Sequence, residues 1–308
     1  MTGFSADWLA LREPCDRAAR AAAWPAFAAF CDRLRQRAQA RTPARLRVID
    51  LAGGTGANVR ALAPRIGGWQ HWQILDNDPA LLAEIPDAMA RWAVAHGYRY
   101  DTGSGPDAVS CIEGPTWRIE LVRRCVDLAR DPDAIAFGQA DLVTASALLD
   151  LVSSRWIDAL LERVRGCGAA WWWSLSVDGR IAWDPLDADD ATVHRLFERH
   201  QRRDKGFGPA LGPAALPYLR HCAAAAGDTV LQAPCDWVVD AAHGGAGAAA
   251  LLAAMIEGMA DAAIEQSPDA APAVSAWQAR RLAAAGYSRL TVGHLDMAHF
   301  PSGGGTGV

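Results

Sequence analysis

Short runs of β-branched and aliphatic residues recur along the chain, each followed by a stretch with apolar residues at helical spacing. Val48, Ile49 and Leu51 open the series as a strand suited to burial on both faces. The run breaks at Gly53-Gly54-Thr55-Gly56, and Val59, Leu62, Ala63 and Ile66 then fall at helical steps over 57–66. Residues 72–75 repeat the scheme, ending in Asp76-Asn77-Asp78-Pro79 before a helix over 80–90. A third strand is expected over 124–128 and a fourth over 140–149. An amphipathic helix over 150–164 leads to a fifth strand over 169–177, centred on Trp171-Trp172-Trp173. Three consecutive tryptophans cannot share one face of a strand, so core packing on both faces is expected, with acceptor stacking open for one of them.

Outside this core the pattern is less regular. Residues 1–40 read as helices interrupted at Pro14, because proline removes a helical hydrogen bond, with segments over 14–22 and 25–39. The Gly, Ser, Asp and Pro content of 96–116 predicts a loop, and 117–122 is either an extra strand or the start of the third. Beyond 178 the pattern predicts a helix over 191–203, a glycine/proline loop over 204–213 and a helix over 216–226. A strand over 228–239, helices over 246–265 and 273–285, and a strand over 288–295 follow.

A strand, a glycine turn and a helix start make a cradle for a nucleotide cofactor. Small residues admit a ligand close to the backbone, and the helix N-terminus presents free N–H groups. The spacing bears on which cofactor. A dinucleotide fingerprint requires a third small residue where this chain has Val59, and Asp50 in the strand would repel a pyrophosphate. A carboxylate there suits an ammonium group instead. A nicotinamide dehydrogenase is thereby disfavoured.

The segment Asp50-Leu51-Ala52-Gly53-Gly54-Thr55-Gly56 resembles motif I of the class I S-adenosylmethionine-dependent methyltransferases. Ala52 stands where that family more often has its first glycine, a mild departure because the backbone there need not have positive φ. Asp50, Asp76, Asp127 and Asp141 recur once per strand–helix unit in the family's order. The resemblance covers about residues 47–177 and implies a seven-stranded, mostly parallel Rossmann-like α/β sheet with an antiparallel strand near one edge, N-terminal helices and helical insertions. It implies S-adenosyl-L-methionine as cofactor, held around Asp50, Ala52, Gly53, Gly54, Thr55, Gly56 and Asn58, with Ser146 at the end of strand four. Asp76, beside Asn77, would accept from the ribose hydroxyls, with Asp78 the rival and the better helix N-cap. Asp127 would reach the adenine amino group and Leu128 its ring.

The expected organisation is an N-terminal helical cap over 1–45, the cofactor-binding core over 46–178, an acceptor-lid insertion over 179–227, the last two strands with a helical insertion over 228–300, and a disordered tail over 301–308. His200 is the candidate base or orienting group. Trp8, Arg12, Asp150, Asp204, Lys205 and Phe207 are the candidate acceptor contacts. The chain lacks an N-P-P-[YF] sequence after strand four, which argues against methylation of planar nitrogens in DNA or protein, and no metal trio of the catechol type is evident. The expected reaction is metal-independent transfer to a small-molecule acceptor by in-line displacement; the alternative is a silent binding protein of the same fold.

Composition narrows the partners. Of 308 residues about half are hydrophobic, and the net charge is −5 with Lys and Arg dispersed, so there is no electrostatic footprint for nucleic acid. Seven scattered cysteines without C-x-x-C pairs point to reduced thiols in a cytoplasm. No apolar run reads as long enough to cross a bilayer, 246–256 included. The helical insertion near 240–287 is expected to serve packing, a homodimer contact or the acceptor pocket's wall.

Overall fold

The computed structural model describes residues 4–103 and 109–301. Of the tail expected over 301–308, residues 302–308 lie outside the described residues. In chain order the elements are α1 (Ala6–Ala23), α2 (Ala28–Gln39), β1 (Leu46–Leu51), α3 (Ala57–Ile66), β2 (Gly68–Asp76), α4 (Pro79–His96), β3 (Arg99–Thr102), β4 (Ser110–Glu113), β5 (Trp117–Cys125) and β6 (Leu142–Ser146). Then come α5 (Ser154–Gly166), β7 (Ala170–Asp184), α6 (Asp190–Gln201), α7 (Ala215–Ala225), β8 (Val230–Pro234), β9 (Trp237–Asp240), α8 (Ala241–Gln266), α9 (Ala271–Ala284) and β10 (Arg289–His299).

One sheet joins the strands in the order β3-β4-β5-β2-β1-β6-β7-β10-β8, with β9 also paired to β10. The central five, β5-β2-β1-β6-β7, are parallel. β10 runs antiparallel to β7 on one side and to β8 and β9 on the other. The fold is a Rossmann-like α/β sheet with one reversed strand near an edge. The expected seven strands are present, and β3, β4 and β9 are additions.

Three expectations change. The third strand is Trp117–Cys125, so 117–122 is its body and Asp127-Leu128 lies past its end. The segment read as loop contains the β3–β4 hairpin, where Tyr100 faces Ile112 and Arg99 faces Glu113. There cross-strand pairing overrides a turn-rich composition. At the N-terminus α1 runs unbroken through Pro14, whose ring sits on the exposed side, and Ser5 caps it by accepting from the Trp8 N–H.

Two buried clusters flank the sheet. Trp171 and Trp173 stack on each other in one, at 5.7 Å between centroids. Trp172 points into the other, stacked on Phe27 at 4.7 Å. All three are core residues. α8 also corrects the reading of 246–256: with 26 residues it is long and apolar enough, by length and composition, to cross a membrane. Its Leu251, Leu252, Ile256 and Met259 are buried in the hydrophobic core. The insertion is bolted to the fold by Arg281 of α9, which ion-pairs with Asp190 at the start of α6 while Trp277 donates to the same carboxylate at 2.8 Å.

Candidate functional site

The order of the parallel strands reverses between β1 and β6, and open sheets hold ligands beyond the carboxyl ends at such a point. A cavity of about 1080 Å³ opens there. Ala52, Ala147 and Leu175, which follow or lie in β1, β6 and β7, all line it. These three are the non-glycine residues with positive φ among those described, at 50°, 53° and 53°. Backbone strain concentrated on one cavity marks it as functional. It also corrects the reading of Ala52: the backbone at this family-glycine position is left-handed after all.

At the glycine turn the Gly54 N–H donates to Asp76 Oδ2 at 2.8 Å, and Asp78 N–H donates to Oδ1 at 2.9 Å. Asp76 therefore lies at the cavity wall with one lone pair left on each oxygen. Burial raises its pKa, against the pull of those backbone N–H groups. Asp78 caps α4, accepting from Ala80 N–H at 2.8 Å.

A second network joins β1, α3, β6 and α1. Asn58 donates to Asp50 Oδ1 at 2.6 Å and accepts from Arg20 Nη1 at 2.8 Å, while Arg20 Nη2 donates to Ser146 at 2.7 Å. Two atoms of this network are buried and unpartnered: Asp50 Oδ2 and Arg20 Nε. Burial holds the Asp50 carboxyl up at about 7, the Asp76 charge adding to it and Asn58 and Arg20 opposing. Asp50 and Arg20 both line the cavity. Arg20 escaped the sequence reading, and its signal was present: Arg12, Asp16 and Arg20 follow at four-residue steps on one face of a helix that continues through Pro14.

Of the expected cofactor residues, Asp50, Ala52, Gly53, Gly54, Thr55, Asn58, Asp76, Asn77, Leu128 and Ser146 line the cavity. Gly56 does not: it caps α3 with φ 81°, and a Cβ on it would meet Met89 Cε at 2.6 Å. Asp127 does not either, because past the end of β5 its Oδ1 accepts from the N–H groups of Ala129 and Arg130. Asp141, aligned with these acids in sequence, sits at the opposite, amino end of β6, where it accepts from Arg47 N–H and pairs with Arg37 and Arg41.

The expected acceptor residues Trp8, Arg12, Asp150, His200, Asp204, Lys205 and Phe207 all line the same cavity. The loop holding three of them is a hydrogen-bonded turn. Asp204 Oδ1 accepts from Gly206 and Gly208 N–H, Asp204 pairs with Pro209, and Phe207 packs edge-on against Trp156 at 5.3 Å. His200 Nε2 meets Glu265 Oε2 at 3.2 Å, and burial, followed by the Lys205 charge, holds the imidazole below its usual range. Asp150, in the turn after β6, has a buried Oδ1 with no partner, and burial pushes its carboxyl up to about 6. Among the described residues no three or more His, Cys, Asp or Glu side chains form a group able to hold a metal ion.

No protein-family model matches the chain, and no curated protein aligns with it. Solved structures of similar shape include a cyclopropane-fatty-acyl-phospholipid synthase-like protein from Lactobacillus casei, 15% identical over 97% of this chain and 95% of that one, with a TM-score of 0.47. S-adenosylmethionine-dependent methyltransferases from Geobacter sulfurreducens (15% identity, 83% and 85% covered, TM-score 0.39) and Thiobacillus denitrificans (13%, 96% and 91%, 0.37) were both solved with S-adenosyl-L-homocysteine. All these TM-scores are below 0.5, so the functional reading rests on this chain's own residues.

Proposed function

We propose that this protein is an S-adenosylmethionine-dependent methyltransferase acting on a small-molecule acceptor without a metal ion. The observation that carries the reading is the pair of orphaned buried atoms, Asp50 Oδ2 and Arg20 Nε, in one network beside the glycine turn. An ammonium satisfies the first and a carboxylate the second, which together describe the amino acid end of the cofactor. A phosphate would meet the Asp50 carboxylate. The free lone pairs of Asp76 suit a ribose diol, and Leu128 offers an apolar wall for a purine.

When bound, the cofactor supplies a methyl group already activated on a sulfonium. The protein's share is to position and to exclude water. Arg20, Asn58 and Ser146 fix the geometry around Asp50, and α1 covers the carboxyl ends of the strands through Trp8, Leu9 and Arg12.

Calorimetry with S-adenosyl-L-homocysteine tests the cofactor reading, and mass spectrometry of the purified protein for retained cofactor supports it. Transfer of labelled methyl into a metabolite extract, undiminished by a chelator, tests the activity. Binding without transfer to any extract component would leave a silent binding protein. No binding at all overturns the reading.

A further inference from the structure

The chamber this cavity forms is lined by apolar side chains, Val177 and Ile181 of β7, Phe197 of α6, Met255 and Met259 of α8 and Val292 of β10, and by charged ones, among them Arg12, Arg180 and Lys205. Asp150 lines this chamber, is only 8% exposed, and has a buried carboxylate oxygen with no protein partner. A buried acceptor atom left unmatched loses its hydration for nothing in return, unless a ligand donates to it. Arg12 lines the same cavity, and its charge acts on Asp150. Its Nε and Nη2 are committed to Asp16 at 3.0 and 3.2 Å, and its plane lies 5.0 Å over the Trp237 ring. Asp150 sits in the turn Leu149–Leu151, directly after the strand that ends in Ser146 of the Asp50 network.

We propose that Asp150 is the general base of the reaction, and that the acceptor is an apolar molecule bearing one weakly acidic hydroxyl, a phenol or an enol. This rests on the methyltransferase reading. The acceptor oxygen forms a bond to the incoming methyl carbon and gives its O–H proton to Asp150 Oδ1. The electron pair of the broken carbon–sulfur bond leaves with the neutral thioether, and the proton passes from Asp150 to water when product departs. An unmatched acceptor atom calls for one donated hydroxyl, and the apolar share of the lining accommodates a hydrocarbon body. His200 is the poorer base, since its Nε2 is engaged by Glu265.

Burial places the Asp150 carboxyl near 6, with its own N–H and Arg12 pulling the other way, so it ionises in an accessible range. The other titratable or charged groups facing the chamber are Arg12 and Asp16 of α1, His200 of α6, Asp204 and Lys205 of the following turn, Arg180 of β7 and His294 of β10. Burial holds both histidines below their usual range.

The test uses 4-propylphenol and its methyl ether as probes, followed by tryptophan fluorescence and calorimetry, with and without S-adenosyl-L-homocysteine. The expected result is phenol binding that tightens about tenfold from pH 5 to pH 7.5, while the ether shows no such rise. Asp150→Asn should flatten that rise and slow methyl transfer to alkylphenols by 10²–10⁴-fold, the usual range for a general base, with S-adenosyl-L-homocysteine affinity within about twofold. Asp150→Glu should keep part of the pH step, which a purely structural role would not. Equal binding of phenol and ether by the wild-type protein, or a pH step that survives in Asp150→Asn, overturns the proposal. The wild-type titration alone is decisive if Asp150→Asn does not fold. Loss of S-adenosyl-L-homocysteine binding in the wild type would defeat the methyltransferase reading separately, because the phenol titration without it still reports on Asp150.

Discussion

Burial lifts the Asp50 carboxyl to about 7, against about 4 in an unfolded chain, so the folded protein binds a proton that the unfolded chain has released between those values. Its contribution to stability is therefore full below about pH 4 and is lost as pH rises through about 7. Cofactor-free protein should unfold at progressively lower denaturant concentration across that window, and Asp50→Asn should flatten the slope. An ammonium bound at Oδ2 favours the ionised carboxylate, so cofactor binding near pH 6 should release a proton, seen as a dependence of calorimetric heat on the buffer's ionisation enthalpy. Asp76→Ala should weaken S-adenosyl-L-homocysteine binding by about 1.5–3 kcal/mol, the range for hydrogen bonds to a charged group; unchanged affinity in calorimetry would remove Asp76 from the site. Ala52→Gly relieves a left-handed alanine, worth about 1–2 kcal/mol, against roughly 0.5–1 kcal/mol of added chain freedom. A net gain of about 0.5–1 kcal/mol in chemical denaturation is expected. Asp50, Asp76 and the glycines were legible because their chemistry is local to one strand end. Ala52's dihedral was not, since no residue type announces a strained φ, and Asp127 misled because its strand ends two residues earlier than the acidic pattern suggests.

At the scale of elements, the parallel strands could be read from apolar runs because each is buried on both faces. α1 could not. Proline on an exposed face leaves the helix axis intact, and breaking the helix there hid the register that brings Arg20 round to Asp50. The β3–β4 hairpin was equally opaque, its evidence lying in pairing partners rather than in its own composition. Within the loop read over 204–213, Asp204 accepts from two backbone N–H groups, a tie that composition does not announce. Asp204→Ala should cost about 1 kcal/mol locally and raise deuterium exchange at Gly206 and Gly208, with little change at β1. If the wild-type turn already exchanges as fast as an unstructured peptide, those contacts do not hold it.

For the molecule as a whole, the helical insertion is held by a buried ion pair as well as by the apolar residues of α8 in the core. Asp190 and Arg281 are 7% and 2% exposed, and Pro185 and Trp277 complete their hydrogen bonds. Asp190→Asn leaves the guanidinium uncompensated and should destabilise the fold by about 3–5 kcal/mol, the range for a broken buried pair. Replacing both partners with leucine should restore much of that loss. Denaturation of the single and double variants checks this, and equal loss in both would show that packing alone matters there. The sequence located these helices but not their anchor, because Asp190 and Arg281 lie ninety-one positions apart.

The reversed strand β10 has a consequence for how the chain is made. It is translated after the nine other strands, yet it belongs between β7 on one side and β8 and β9 on the other. Until Arg289–His299 leaves the ribosome, three strands carry open hydrogen-bonding edges, the state in which nascent sheets adhere to one another. Cys235, Asp236 and Leu175, which the final strand organises through Asp296 and His294, stay unset for the same interval. The cavity wall at β7 therefore matures only once β10 has emerged, and a nascent chain stalled before it is a client for chaperones, with three strands waiting for a neighbour.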